Sequence, residues 1–179
     1  MELRKLAADC KDRDLLEEIN HEAFPPSERM NTEELFQFAQ RTDTDILGIY
    51  DNDLLVGFIV LVKNEPSSYL YYLAIDHRLR SKGYGSKAIQ ALLSLYSHLQ
   101  ITLDFEVLDP AAPNLEQRKR RREFYLRNGF HETGYYTVLN GEKFELVCNG
   151  GELKKEPLLE LLKILHQHRP GFLESLFPL

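Results

Sequence analysis

Apolar residues recur along this chain at two spacings, and the changes between them outline the elements. Met1 to Ala7 alternates as a first strand, and Asp12 to Phe24 sets Leu15, Leu16, Ile19 and Ala23 on one side of a helix. Pro25-Pro26 stops that helix, because proline has no N–H for a continuing turn. Asn31 or Thr32 can cap a second helix through Arg41, with Glu33 and Glu34 where the helix dipole favours acids. Asp45 to Tyr50 and Leu54 to Val62 read as strands around Asp51-Asn52-Asp53, and Ser68 to Ile75 as a fourth strand. A helical run from Tyr84 to Leu99, a strand from Ile101 to Leu108 and a helix from Leu115 to Arg127 follow, the last closed by Asn128-Gly129. Thr133 to Leu139 and Glu142 to Cys148 form a hairpin around Asn140-Gly141. The order is β-α-α-β-β-β-α-β-α-β-β, an α/β arrangement with a mixed sheet.

Beyond Gly150-Gly151 the pattern changes again. Pro157 to His168 sets Leu158, Leu161, Leu162 and Leu165 on one helical face, and Phe172, Leu173, Leu176, Phe177 and Leu179 follow in an apolar tail. This predicts a domain over residues 1–149 and an extension over 150–179. The extension packs either on its own domain or in a homodimer interface.

A length of 179 residues with 43% hydrophobic residues suits a single globular domain. No apolar run reaches the ~20 residues of a membrane span. Cys10 and Cys148 lack any C-x-x-C spacing, so neither a disulfide framework nor a metal site is expected, and a reducing cytoplasm is the natural setting. A net charge of −6 argues against general nucleic-acid binding. Its distribution adds more: residues 1–55 carry 14 acids and 6 bases, residues 76–131 carry 6 acids and 10 bases. That asymmetry suits an enzyme that joins an amine to an anionic cofactor, although acidic helices are also ordinary solvated faces.

The chemistry concentrates at Arg80-Ser81-Lys82-Gly83-Tyr84-Gly85-Ser86, between a strand and a helix start. Glycines let the backbone approach an anion, successive N–H groups converge on it, and the helix N-terminus adds partial positive charge. An ordinary basic loop with a helix cap fits the same residues. A Walker loop is excluded by the glycine spacing, since four residues must separate its glycines. Gly83-Tyr84-Gly85-Ser86-Lys87-Ala88 does spell a dinucleotide fingerprint, with Asp104 downstream. That fingerprint places its first glycine at the strand end, whereas the seven residues Asp76 to Lys82 intervene here.

Arg80-Ser81-Lys82-Gly83-Tyr84-Gly85 resembles the pyrophosphate-loop signature Arg/Gln-x-x-Gly-x-Gly/Ala of the GNAT superfamily of acyl-CoA-dependent N-acyltransferases. Tyr72 to Asp76 resembles that family's fourth strand, and Phe124-Tyr125-Leu126-Arg127-Asn128-Gly129-Phe130 its later aromatic segment. The resemblance covers roughly residues 1–149. It implies a mixed, mostly antiparallel sheet of about seven strands flanked by helices, with the fourth and fifth strands splayed. It further implies acetyl-CoA as co-substrate and a primary amine as acceptor. Leu73 and Ile75 would pair through their backbones with the pantetheine arm, and Arg80, Ser81, Lys82, Gly83, Tyr84, Gly85 and Ser86 would hold the pyrophosphate. Tyr125 occupies the position of the family's general acid, and a core aromatic is the other reading of it. Glu106, which strand alternation sets beside Asp104, is the candidate base, unless it is simply an exposed acid. Glu22 and Glu28 flank Phe24-Pro25-Pro26 where the family lines its acceptor site. The family's asparagine near pantetheine has no counterpart, since its spacing falls on Arg118 and Asn114 lies too far back. Arg118, Arg121 and Arg122 share the Tyr125 helix face, to meet phosphate, substrate acids or solvent. A catalytically idle CoA-binding module on the same fold is the competing function.

Overall fold

The computed structural model describes residues 1–26, 28–168 and 175–179. Its elements are β1 (Glu2–Lys5), α1 (Arg13–Ala23), α2 (Thr32–Arg41), β2 (Thr44–Asp51), β3 (Leu54–Asn64) and β4 (Ser67–Ile75), then a 3₁₀ turn at His77–Leu79. After it come α3 (Tyr84–Leu95), β5 (Gln100–Glu106), α4 (Leu115–Arg127), β6 (His131–Leu139), β7 (Glu142–Cys148), α5 (Lys155–His168) and β8 (Phe177–Pro178). The eight strands follow the order β1-β2-β3-β4-β5-β7-β6-β8 and are mostly antiparallel, with β4 and β5 parallel. Contacts gather into two units, Met1–Lys63 with Leu70–Ser97, and Asn64–Tyr69 with His98–Leu179.

In the first unit α1 buries Leu16, Ile19 and Asn20. The α2 N-terminus is closed by a reciprocal pair: Asn31 Oδ1 accepts from Glu34 N at 2.9 Å, and Glu34 Oε2 accepts from Asn31 N at 2.8 Å. In β3, Leu55 to Val62 are buried without interruption, as expected of a strand covered on both faces. Gly57 sits where β4 passes closest: a Cβ there would lie 2.2 Å from the Ala74 carbonyl oxygen. Backbone cannot rotate away as a side chain can, so Gly57→Ala should push the strands apart. The expected result is a loss of about 1–3 kcal/mol, measured as a lower urea midpoint with unchanged slope; an unchanged midpoint would contradict this contact. The helical run that starts at Tyr84 ends at Leu95, four residues before the predicted Leu99. Tyr96 leaves the helix to donate its hydroxyl to Asp45 Oδ2 at 2.6 Å.

In the second unit the parallel ladder between β4 and β5 covers Ser67↔Gln100, Ser68↔Ile101 and Tyr69↔Thr102. The rest of β5 pairs with β7, from Thr102↔Cys148 to Glu106↔Phe144. The β6–β7 hairpin turns at Asn140 (φ 51°) and Gly141 (φ 83°), the two left-handed residues that a type I′ turn requires. Strand β8, absent from the sequence expectation, pairs Phe177 with Tyr136, and the two rings stack at 5.2 Å. Helix α5 begins two residues before the predicted start and buries Leu158, Leu161, Leu162 and Leu165 completely. Phe172 and Leu173 of the expected apolar tail lie outside the described residues.

Candidate active site

Each unit carries part of the predicted chemistry. In the first, β4 hands the chain to the loop at Arg80–Ser86 through a built junction. The Asp76 amide donates to Val56 O at 2.9 Å, and Asp76 Oδ1 caps the 3₁₀ turn by accepting from Arg78 N at 2.9 Å. The Arg78 guanidinium grips both carboxylate oxygens, with Nε–Oδ1 at 2.9 Å and Nη2–Oδ2 at 2.7 Å. That hydrogen bonding holds the Asp76 carboxyl below its ordinary range, against the opposing effect of burial. Arg78 also pairs with Glu18 at 3.3 Å, and His77 with Glu22. The seven residues, Asp76 to Lys82, that separate strand from glycine therefore begin as an anchored turn.

Past this anchor the loop opens. Arg80, Ser81, Lys82 and Gly83 are exposed. Ser81 (φ 62°) and Gly83 (φ 82°) are both left-handed, and Gly83 caps α3. Among the described residues, the amides of Ser81, Lys82 and Gly83 donate to nothing, and Arg80 and Lys82 form no ion pair. Unbonded amides in a turn that leads into a twelve-residue helix, beside two cations, are the kind of groups that can hold an anion. Arg80 Nε also reaches the Ile75 carbonyl at 3.3 Å, which ties the loop back to the strand end. The Tyr84 hydroxyl donates to Asp51 Oδ2 at 2.7 Å, so its side chain fastens the helix start to the β2–β3 turn and only its backbone remains for an anion. Gly85 and Ser86 lie in the first turn of α3. Leu73 and Ile75 are half-buried, whereas Tyr72 and Ala74 between and before them are buried.

The segment between α1 and α2 is organised around Tyr72, which the sequence analysis reads only as a residue of the fourth strand. Its hydroxyl donates to Glu28 O at 2.6 Å and accepts from Met30 N at 3.1 Å, and its ring lies 4.4 Å from that of Phe24. Glu22, a candidate for holding a cationic acceptor, is engaged by His77.

In the second unit, Tyr125 of α4 is enclosed by aromatic rings. Phe105 of β5 stacks on it at 6.0 Å and 5°, Phe130 meets it edge-on at 5.9 Å, and Phe124 packs at 5.1 Å. Part of the residue's surface is accessible, but protein atoms crowd the hydroxyl, which has no hydrogen-bond partner among the described residues. Burial pushes the phenol up to about 12; Arg121 opposes that shift and Asp104 adds to it. Asp104 and Glu106 are the half-buried positions of the β5 end, and Leu103 and Phe105 on the other face are buried, as alternation predicts. Glu106 Oε2 pairs with Arg121 Nη1, while Oε1 has no partner among the described residues.

The basic run on α4 resolves into internal contacts. Arg118 donates to Val107 O at 3.0 Å and to Asn114 Oδ1 at 2.8 Å. Arg122 pairs with Glu145 at 3.3 Å and with Glu132, and Lys119 with Glu116 at 2.8 Å. Among the described residues no group of acidic, histidine or cysteine side chains could hold a metal ion, and no helix is long and apolar enough to cross a membrane.

No curated protein matches the chain. Solved structures do. A Bacteroides thetaiotaomicron protein assigned to the GNAT family of acetyltransferases is 26% identical, with 93% of this chain and 97% of that one aligned at a TM-score of 0.75. An aminoglycoside 6'-N-acetyltransferase complexed with coenzyme A is 18% identical over 83% of this chain and 96% of its own, at a TM-score of 0.65. A PaiA N-acetyltransferase from Thermoplasma acidophilum, also in complex with coenzyme A, is 19% identical over 84% and 98%, at 0.61. The last two share the fold. Residues 13–130, which run from the start of α1 through the phosphate loop, Glu106 and Tyr125 to Phe130, match the sequence profile of the Acetyltransferase (GNAT) family. The anion loop and the enclosed tyrosine thus fall inside the matched segment, and the chain belongs to the GNAT family of acetyltransferases.

Proposed function

We propose that this protein transfers the acetyl group of acetyl-CoA to a primary amine by direct attack in a ternary complex. The observation that carries the reading is the open turn at Arg80–Gly83, with unbonded amides and two unpaired cations at the start of α3. Coenzyme A bound by the two fold relatives supports the choice of anion. In this reading Arg80, Ser81, Lys82, Gly83, Tyr84, Gly85 and Ser86 hold the pyrophosphate, and backbone groups of Leu73 and Ile75 hold the pantetheine arm. Free Cys10 and Cys148 suit a reducing, cytoplasmic setting.

The acceptor arrives as an ammonium ion and must lose a proton before it can attack. Glu106 is the proposed base, directly or through a water, with Oε1 as the available atom. The freed amine attacks the thioester carbonyl, the C–N bond forms, and the C–S bond breaks as the oxyanion collapses. Tyr125 protonates the departing thiolate. The proton shed by the new amide nitrogen restores the phenol, and the proton on Glu106 leaves to water.

Thiol release from acetyl-CoA over a panel of primary amines tests the reading. Release with at least one amine is expected, and release with none would favour an idle CoA-binding module. Gly83→Ala adds a sharper measurement. A Cβ at Gly83 meets nothing within 4 Å, so the variant should fold; its cost lies in the φ of 82° alone. A left-handed non-glycine residue costs roughly 1–2 kcal/mol; the exposed loop of the free variant relieves it by leaving that conformation, so the cost falls on binding, and the KM for acetyl-CoA should rise about tenfold with kcat changed much less. An unchanged KM would remove the loop from cofactor binding.

A further inference from the structure

The acid and base just assigned leave one side chain beside them without a role. Arg121 lies four residues before Tyr125 on α4, on the same helix face. Its Nη1 donates to Glu106 Oε2 across from β5. The two neighbouring arginines on that face close α4 onto its surroundings: Arg118 bonds the Val107 carbonyl and Arg122 pairs with Glu145. Arg121 differs from them, because its partner is the candidate base and its charge acts on the candidate acid.

We propose that Arg121 is a positioning residue for the acid step: Glu106 fixes its guanidinium beside the Tyr125 face of α4, so that the phenolate left by proton transfer forms next to a positive charge. The argument rests on the function proposed above. When Tyr125 gives its proton to the departing sulfur, a negative charge appears on a side chain whose ring packs among those of Phe105, Phe124 and Phe130. Rings offer that charge little solvation. The charged groups that act on the hydroxyl are Arg121 of α4, which favours the anion, and Asp104 of β5, which opposes it. A guanidinium stays charged throughout the working pH range, so it can serve the anion without exchanging a proton itself. Glu106 then has two duties: Oε1 is open to the acceptor's proton, and Oε2 restrains the arginine, which on a long flexible stem would otherwise turn to solvent.

The test is a mutant cycle on purified protein, read as kcat and as KM for both substrates. Arg121→Met should lower kcat roughly tenfold, the scale on which a neighbouring charge acts on a proton donor. Both KM values should stay within about twofold. Arg121→Lys keeps the charge and should recover most of the loss. The decisive arm is the Tyr125→Phe background, where Arg121→Met should change kcat by less than about twofold, because no phenolate forms there. Equal losses in both backgrounds, or no loss in either, would overturn the inference. A Lys variant as slow as the Met variant would do the same, and a melting temperature for each variant separates misfolding from slowed chemistry. The two readings also fail separately. Tyr125→Phe with unchanged turnover defeats the acid assignment, whereas a slowed Tyr125→Phe with additive Arg121→Met defeats this inference alone.

Discussion

Tyr125→Phe should lower kcat by roughly 100- to 10,000-fold, the usual contribution of a positioned general acid, while the KM for acetyl-CoA stays close to that of the natural enzyme. The substitution removes one oxygen and keeps the ring. The stack on Phe105 at 6.0 Å and the edge contact with Phe130 at 5.9 Å involve the ring alone, so packing survives. The lost hydroxyl bonds to no described residue, so no partner is left unsatisfied, and the melting temperature should hold or rise slightly. This combination separates a chemical role from a structural one. A core tyrosine whose hydroxyl served the fold would lose stability and keep turnover; an acid loses turnover and keeps stability. Because burial pushes the phenol up to about 12, the proton remains in place through the whole ordinary assay range. The natural enzyme should therefore show no fall in kcat between pH 7 and 10 that can be assigned to Tyr125. A Phe variant with natural turnover would take Tyr125 out of the mechanism.

What made the helix around Tyr125 readable from the sequence also explains what was missed. Helix α4 runs from Leu115 to Arg127 as expected, because Asn128-Gly129 is a strong local stop; Gly129 indeed takes a left-handed φ of 97°. Asn140-Gly141 fixed its hairpin for the same local reason. Errors fall where a neighbour distant in sequence decides. Tyr96 and Leu99 are buried like helix residues, at 7% and 4% exposure, yet they lie beyond the end of α3, and periodicity alone cannot distinguish those two kinds of burial. Strand β8 has two residues and one is a proline, so it has no alternation to read. The partners of the charge run at Arg118–Arg122 were not legible, because Glu106 of β5, Val107 just after it and Glu145 of β7 are distant in sequence or not marked by it. The loop at Arg80–Ser86 was legible as a motif. Its anchor, the Asp76–Arg78 clasp with Glu18 and Glu22 behind it, was not, because α1 lies more than fifty residues earlier in the sequence.

Asp45 is the clearest of these hidden features, and Asp45→Ala should destabilise the protein by about 3 kcal/mol, the lower end of the range for breaking a buried ion pair. Its side chain is only 9% exposed and accepts from Lys63 at 2.8 Å, Lys5 at 2.7 Å and the Tyr96 hydroxyl at 2.6 Å. Lys5 is 69% exposed, so water screens its share. Lys63 is 16% exposed and would be left with Asp43 at 3.0 Å, which is why the lower end applies. Tyr96→Phe, which removes one donor and leaves the ion pairs, should cost about 1–2 kcal/mol and gives a graded control. Acid supplies the second measurement. Burial alone would push the Asp45 carboxyl up, but the hydrogen bonds from Lys5, Lys63 and Tyr96 outweigh it and hold it below its ordinary range. A group depressed on folding adds stability above its unfolded pKa, here ~3.9, and loses it as pH falls through the folded value. Natural protein should therefore lose stability steeply below about pH 4, and Asp45→Ala less steeply. The difference in urea midpoint between the two should be largest near pH 7 and should narrow toward pH 3. A difference that is the same at both pH values would mean that Asp45 contributes packing rather than charge, and equal midpoints at pH 7 would mean that the cluster does not stabilise the fold at all.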